Sequence, residues 1–165
     1  MSRLMSSRVS LLFVTCLATI ATAHADTIAG RASVIDADTL QINGERIRIL
    51  DIDAPEKDQF CQQAVGDVTW ECGVEATFAL IDWIGETDVV CETNGLDRYK
   101  RHLARCTVQG EDVAVWLAES GWGVPFRDCK CEAVREASAR AQAAERGIWI
   151  GPFIMPWDWR VFMQP

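Results

Sequence analysis

Three short stretches supply the residue types that metal-assisted cleavage of a phosphodiester would use: Asp36-Ala37-Asp38-Thr39, Arg48 to Glu56, and Asp97-Arg98-Tyr99-Lys100-Arg101. Asp38 and Asp53 offer the hard oxygen ligands that Ca2+ takes, and two carboxylates leave coordination positions for carbonyls, water and a substrate phosphate. Glu56 follows Pro55 on stiffened backbone, where a carboxylate can orient or deprotonate a water beside the ion. Arg48 and Arg101 are two guanidinium groups for the charge that builds up on a phosphoryl centre. Arg98, Tyr99 and Lys100 continue this last stretch into a basic run that suits a nucleic-acid strand. Taken singly, each stretch also has an ordinary reading as a turn, a strand end or a solvated hairpin tip. Arg48 is the exception, because Ile47-Arg48-Ile49-Leu50 puts a charge inside an apolar strand, where it needs a phosphate or a carboxylate as partner.

The intervening sequence indicates what must position these groups. From Thr27 to Asp53 the pattern is β-branched and alternating, broken at Ala37-Asp38 and at Asn43-Gly44, and predicts three strands with a tight hairpin at Asn43-Gly44. Asp38 then begins one strand and Asp53 ends the next, so the hairpin brings the two carboxylates together. From Gly73 to Gly85 the period becomes helical, with Val74, Phe78, Ile81 and Ile84 predicted inward. A strand pair, Asp88 to Thr93 with Leu103 to Val108, turns through Asp97 to Arg101. Asp112 is expected to cap a short helix, and Glu132 to Arg146 to form a longer one with Val134, Ala137, Ala141 and Ala144 inward and Gly147 as its stop. The segment from Gly151 to Arg160 lacks a period and is expected to wrap the surface, with Trp157 and Trp159 packing over the core. Five strands and about three helices predict a mainly β, α+β fold built on a small barrel.

The first 25 residues read as a cleavable secretory leader: Arg3 and Arg8, an apolar run from Val9 through Ala21, and Ala23-His24-Ala25 before Asp26. The apolar run is about 13 residues, short of the roughly 20 that span a bilayer. The preceding Phe13-Val14-Thr15 makes Cys16 a poor lipidation site. A single domain over residues 26–165, secreted or periplasmic and free of the membrane, is expected as a monomer. Arg3 and Arg8 leave with the leader and no acid does, so 14 basic face 24 acidic residues, a net charge of −10. Such a surface repels nucleic acid at long range, and any phosphate capture has to rest on locally clustered arginines.

Six cysteines remain, an even number that suits an oxidising compartment. Cys61 and Cys72 flank a short loop, and Cys91 and Cys106 stand symmetrically about the Arg98-Tyr99 turn, so each pair is placed to bridge. Cys129-Lys130-Cys131 leaves a labile bridge, free thiols and longer-range pairing open.

The blocks Asp36-Ala37-Asp38-Thr39-Leu40, Arg48 through Glu56, Asp97 through Arg101 and Gly147-Ile148-Trp149 together resemble the signature of the thermonuclease, or staphylococcal-nuclease-like, family, over roughly Ala32 to Arg160. The resemblance implies an OB-type five-stranded barrel and Ca2+-dependent hydrolysis of DNA or RNA. It further implies that Asp38, Asp53 and the Ala54 carbonyl hold Ca2+, that Glu56 acts on the attacking water, and that Arg48 and Arg101 bind the scissile phosphate. The sequence departs from the family pattern where Ala37 and Lys100 replace glycines. It departs again at Gly121-Trp122-Gly123-Val124-Pro125-Phe126, where Trp122 and Phe126 stand in for base-stacking tyrosines.

Two other classes compete with a nuclease that acts on single-stranded DNA or RNA. One is a non-catalytic OB-type module that binds oligonucleotide or oligosaccharide. The other is a disulfide-stabilised interaction protein using Trp157, Trp159 and Arg160.

Overall fold

β-Branched alternation and two tight turns shape the first half of the chain. In the computed structural model, which describes residues 26–66, 68–127 and 129–163, β1 (Thr27–Asp36), β2 (Thr39–Ile42) and β3 (Glu45–Ile49) form an antiparallel meander. Asn43 at φ 53° and Gly44 at φ 87° supply the two left-handed residues that a two-residue hairpin matched to strand twist requires. The segment expected to be a secretory leader, residues 1–25, lies outside the described residues. Among the described residues no helix is long and apolar enough to cross a membrane.

The second strand pair closes the sheet. β4 (Asp88–Leu96) pairs with β1, β5 (His102–Val108) pairs with β4, and β5 runs parallel to β3 through Ile47–His102, Arg48–Leu103 and Ile49–Ala104. The result is the expected five-stranded OB-type barrel, mixed because the closing pair is parallel. Leu40, Ile42, Ile47, Ile49, Val89, Ala104 and Val108 fill its interior. Closure also places the Arg48 strand beside the chain that leaves the Asp97 to Arg101 turn.

The helices pack around the barrel. They are α1 (Cys72–Ile84), α2 (Val113–Glu119), α3 (Glu132–Ala143) and α4 (Pro156–Phe162), one more than the sequence predicts. α2 begins as expected, with the Asp112 carboxylate accepting from the Val115 N–H at 3.0 Å. α1 differs in the face it buries. Ala76, Leu80 and Ile84 turn inward, whereas Phe78 and Ile81 are 55% and 40% exposed. Both faces are apolar, and close approach selects between them: a Cβ on Gly73 would collide with the Glu56 carbonyl, so the small-residue face lies against the loop that follows Pro55. α3 ends at Ala143, one residue before Ala144, which is exposed. The segment expected to wrap the surface without order instead contains α4, opened by buried Pro156 in its first turn.

Cys61–Cys72 and Cys91–Cys106 are both bridged, the latter between residues directly opposite each other on β4 and β5. Of the alternatives for the last pair, the structure has a Cys129–Cys131 bridge. Three disulfides fit an oxidising, extracytoplasmic setting.

Candidate active site

The turn from β1 to β2 presents the first carboxylates. Asp36 accepts from the Asp38 N–H at 3.2 Å, and Ala37 is fully buried without a left-handed φ, so the turn does not need a glycine there. Asp38 is anchored on both oxygens: Oδ1 accepts from the Thr39 hydroxyl at 3.2 Å and Oδ2 from the Ala54 N–H at 3.0 Å. Beyond β3 the chain reverses through Asp51, at φ 68°, and the short strand Ile52–Asp53 pairs with Val124–Pro125. Asp53 is thereby held in a two-stranded sheet separate from the barrel sheet, with no solvent exposure.

Arg48 projects from β3 between these two aspartates. Its side chain is 11% exposed, and its Nη1 lies 3.0 Å from Asp38 Oδ2 while Nη2 lies 2.8 Å from Asp53 Oδ1. The charge in the apolar strand is therefore matched by carboxylates. Arg101 enters from the β4–β5 turn, its Nε donating to Asp97 Oδ2 at 2.8 Å and its Nη1 to Thr39 Oγ1 at 3.3 Å. Thr39 thus links Arg101 to Asp38. Tyr99 stands beside both neighbouring guanidinium groups, 4.8 Å from Arg98 and 5.6 Å from Arg101, an arrangement favourable to cation–π attraction.

Glu56 reaches the same place from the loop after Pro55. Buried Gln59 ties this loop to the C-terminal segment by accepting from the Glu56 N–H at 3.3 Å and donating to the Ile154 carbonyl at 2.6 Å. Arg160, delivered by α4, then grips two of the expected site residues. It donates to Asp53 Oδ1 at 3.1 Å, to Asp53 Oδ2 at 2.8 Å and to Glu56 Oε1 at 2.6 Å.

Asp36, Asp38, Arg48, Glu56, Asp97, Arg101 and Arg160 line one open cleft of about 880 Å³, while Thr39, Asp53 and Gln59 are buried. Among the described residues, six arginines face it, Arg46, Arg48, Arg98, Arg101, Arg127 and Arg160, against the four acids Asp36, Asp38, Glu56 and Asp97, so the acidic protein gathers positive charge here. Phe126 and Trp157 add aromatic surface, and Arg127 lies 5.9 Å over the Trp157 ring. Trp122 stands elsewhere, packed edge-on against Trp70 between the two core clusters. Lys100 is exposed at the hairpin tip, where its φ of 63° is the conformation a glycine would take freely.

Residues 46–151 match the family described as staphylococcal nuclease homologues. The chain belongs to this family. Relatives of the nuclease-like chain include the succinoglycan biosynthesis protein ExoI of Rhizobium meliloti (strain 1021), 38% identical over 127 residues, which are 76% of this chain and 66% of that protein. Another is Protein ParB of Escherichia coli, 30% identical over 146 residues, or 77% of this chain and 75% of that one. Members of the staphylococcal nuclease family are typically nucleases and generally depend on Ca2+.

The electrostatics of this nuclease-like cleft suit a hard cation. Burial, reinforced by Asp38, pushes the Asp36 carboxyl up to about 6. Burial likewise holds the Asp53 carboxyl above its ordinary value, against hydrogen bonds from Arg160 and with Asp38 adding to the rise. Burial thus disfavours the charged form of both carboxylates, and a cation beside them, as Arg48 and Arg160 are beside Asp53, offsets that cost. The donors are all oxygen, as Ca2+ prefers.

Three contributors are absent from the sequence reading of the site: Thr39 as a bridge, Gln59 as a clamp and Arg160 as a third guanidinium. Gln59 carries no motif signal. Arg160 lies beyond the residues that match the family and belongs to a segment without period. The Pro156-Trp157-Asp158 start, a proline at a helix opening followed by an acid, is the one local signal that could have revealed α4.

Proposed function

We propose that this member of the staphylococcal nuclease family is an exported, Ca2+-dependent nuclease that hydrolyses phosphodiester bonds of DNA or RNA. The convergence of Arg48, Arg101, Asp38 and Glu56 on one cleft, with buried Asp53 paired to Arg48 and Arg160, supports the reading most directly. Asp38, Asp53 and the Ala54 carbonyl would hold the ion. When bound, Ca2+ supplies positive charge to the phosphoryl oxygens and makes a nearby water more acidic. Glu56, one-third exposed and facing the cleft, orients that water and accepts its proton. Arg48 and Arg101 donate hydrogen bonds to the non-bridging oxygens as negative charge accumulates there. Asp97 and Thr39 aim Arg101, while Tyr99, Arg98, Phe126 and the exposed Lys100 contact the strand on either side. The single domain over residues 26–165, its monomeric state and its release from the membrane by leader cleavage belong to the same proposal.

Incubation of the mature protein with single-stranded DNA, with Ca2+ and then with chelator, tests this reading. Chelator-sensitive cleavage is expected, and Arg48→Ala or Arg101→Ala should each lose about 10²–10³-fold in rate. Cleavage that is absent in wild type, or unchanged in both variants, would refute it. The relative named for succinoglycan biosynthesis motivates a second reading, an oligosaccharide-binding barrel. Ca2+-indifferent oligosaccharide binding without nucleic-acid turnover would favour that one.

A further inference from the structure

Asp53 is fully buried and accepts three guanidinium hydrogen bonds, which take three of its about four acceptor positions. Its Oδ1 accepts from Arg48 at 2.8 Å and from Arg160 at 3.1 Å, and its Oδ2 accepts from Arg160 at 2.8 Å. The same Arg160 side chain holds Glu56 at 2.6 Å. Arg160 is thus a cation bound to the two carboxylates proposed to bind the metal and to serve the water. Because Asp53 is buried against Arg48 and Arg160, an ion that approaches it competes with their positive charge for the same carboxylate.

The two arginines on Asp53 differ in how readily they can yield. Arg48 is enclosed on a barrel strand and also donates to the Ile49 carbonyl at 3.0 Å. Arg160 has a 36% exposed side chain and stands on a seven-residue helix near the end of the described chain, whose Val161, Phe162 and Met163 are exposed. Swinging Arg160 outward leaves its guanidinium at the cleft, where a phosphate is the alternative partner.

We propose that Arg160 is a built-in competitor of the divalent cation, a positioning residue that pairs with Asp53 and Glu56 and yields them when the ion binds. The inference rests on the assignment of Ca2+ to Asp38 and Asp53. Competition is reciprocal: whatever factor Arg160 takes from Ca2+ affinity, Ca2+ takes from the attachment of α4. In this way α4, outside the matched family region, sets the ion concentration at which the cleft becomes competent.

Calorimetric titration with Ca2+, without nucleic acid, tests the competition in wild type, Arg160→Gln, Arg160→Lys and the distant surface control Arg140→Gln. Circular dichroism on each verifies folding. Arg160→Gln should bind Ca2+ about ten- to a hundredfold more tightly, the range for losing hydrogen bonds between charged groups. Arg160→Lys, which cannot hold both carboxylates in a fork, should fall between Arg160→Gln and wild type, and Arg140→Gln should match wild type. Hydrogen exchange on wild type should show reduced protection over residues 156–163 when Ca2+ is added. Equal affinities in wild type and Arg160→Gln, or weaker binding in Arg160→Gln, overturn the competition while leaving the Ca2+ site intact. No binding by any of the four proteins overturns the Ca2+ assignment, and the competition falls with it.

Discussion

Asp97 holds Arg101 by both its backbone and its side chain. Asp97 Oδ1 accepts from the Arg101 N–H at 2.9 Å, and Oδ2 accepts from Arg101 Nε at 2.8 Å. A flexible arginine at a hairpin tip is thereby fixed toward Thr39 and the cleft rather than left to solvent. Asp97→Asn keeps the shape but replaces an acceptor with a donor that faces Arg101. Because misplacing a catalytic group by about 1 Å can cost about 10²-fold, cleavage should fall about ten- to a hundredfold. Steady-state kinetics on a single-stranded substrate would check this, and an unchanged rate would remove Asp97 from the machinery.

The same aspartate gives a pH dependence with a definite sign. Burial acts to raise its pKa, but the hydrogen bonds and charge of Arg101, with the Tyr99 N–H, outweigh it and hold the carboxyl below its ordinary 3.8. A depressed carboxylate stabilises the fold fully above the unfolded value and loses that contribution as pH falls through the folded value. Acid denaturation of wild type should therefore be steeper below about pH 4 than that of Asp97→Asn. Parallel urea titrations between neutral pH and pH 3 would measure the difference.

Lys100 occupies a left-handed conformation at φ 63° on an exposed turn. Relief of that strain in Lys100→Gly outweighs the added freedom of the unfolded chain, and a stabilisation of about 0.5–1 kcal/mol is expected. Thermal unfolding would report it as a small upward shift. If the lysine also contacts substrate, KM should rise while kcat is unchanged, which separates the two roles.

The Cys91–Cys106 bridge ties the centres of β4 and β5, and both residues are buried. Replacing both with alanine keeps the interior apolar and removes the crosslink. For a sequence separation of 15 the loss should be about 3 kcal/mol. Denaturant unfolding would check it. Because the cleft is built from neighbouring turns, activity at low temperature should survive.

Ca2+ should stabilise the folded protein through Asp38 and Asp53. At a hundred times its Kd the ion contributes about 2.7 kcal/mol, so the unfolding temperature should rise on addition and return on chelation. Asp53→Asn should abolish the shift and lower the unfolding temperature itself, because its NH2 replaces one of the two oxygens that accept from Arg48 and Arg160. A Ca2+-insensitive unfolding temperature in wild type would contradict the assignment.

Local order along the chain carries much of this molecule. Asn43-Gly44 specifies its hairpin because few residues other than glycine and asparagine take positive φ freely, and that hairpin sets Thr39 opposite Arg48. Cys91 and Cys106 are symmetric about a turn, so their pairing follows from strand register. The three polar stretches make the candidate chemistry legible through residue type and spacing, although only Arg48, inside an apolar strand, is costly without a partner. Their meeting depends on barrel closure, in which β3 and β5 run parallel over a separation that no local pattern encodes.

Tertiary structure decided the rest. α1 has two apolar faces, and only the approach of Gly73 to the Glu56 backbone selects the one that is buried. Gln59 becomes a clamp only when Ile154, 95 residues later, presents its carbonyl. Arg160 reaches Asp53 across 107 positions and Glu56 across 104, from a helix whose sequence shows little period. Residue type and spacing fix which groups are available for chemistry, since propensity and turn geometry act over a few residues. Which charges neutralise one another in the cleft is a property of packed distance, and that exists only once the barrel has closed and α4 has docked against it.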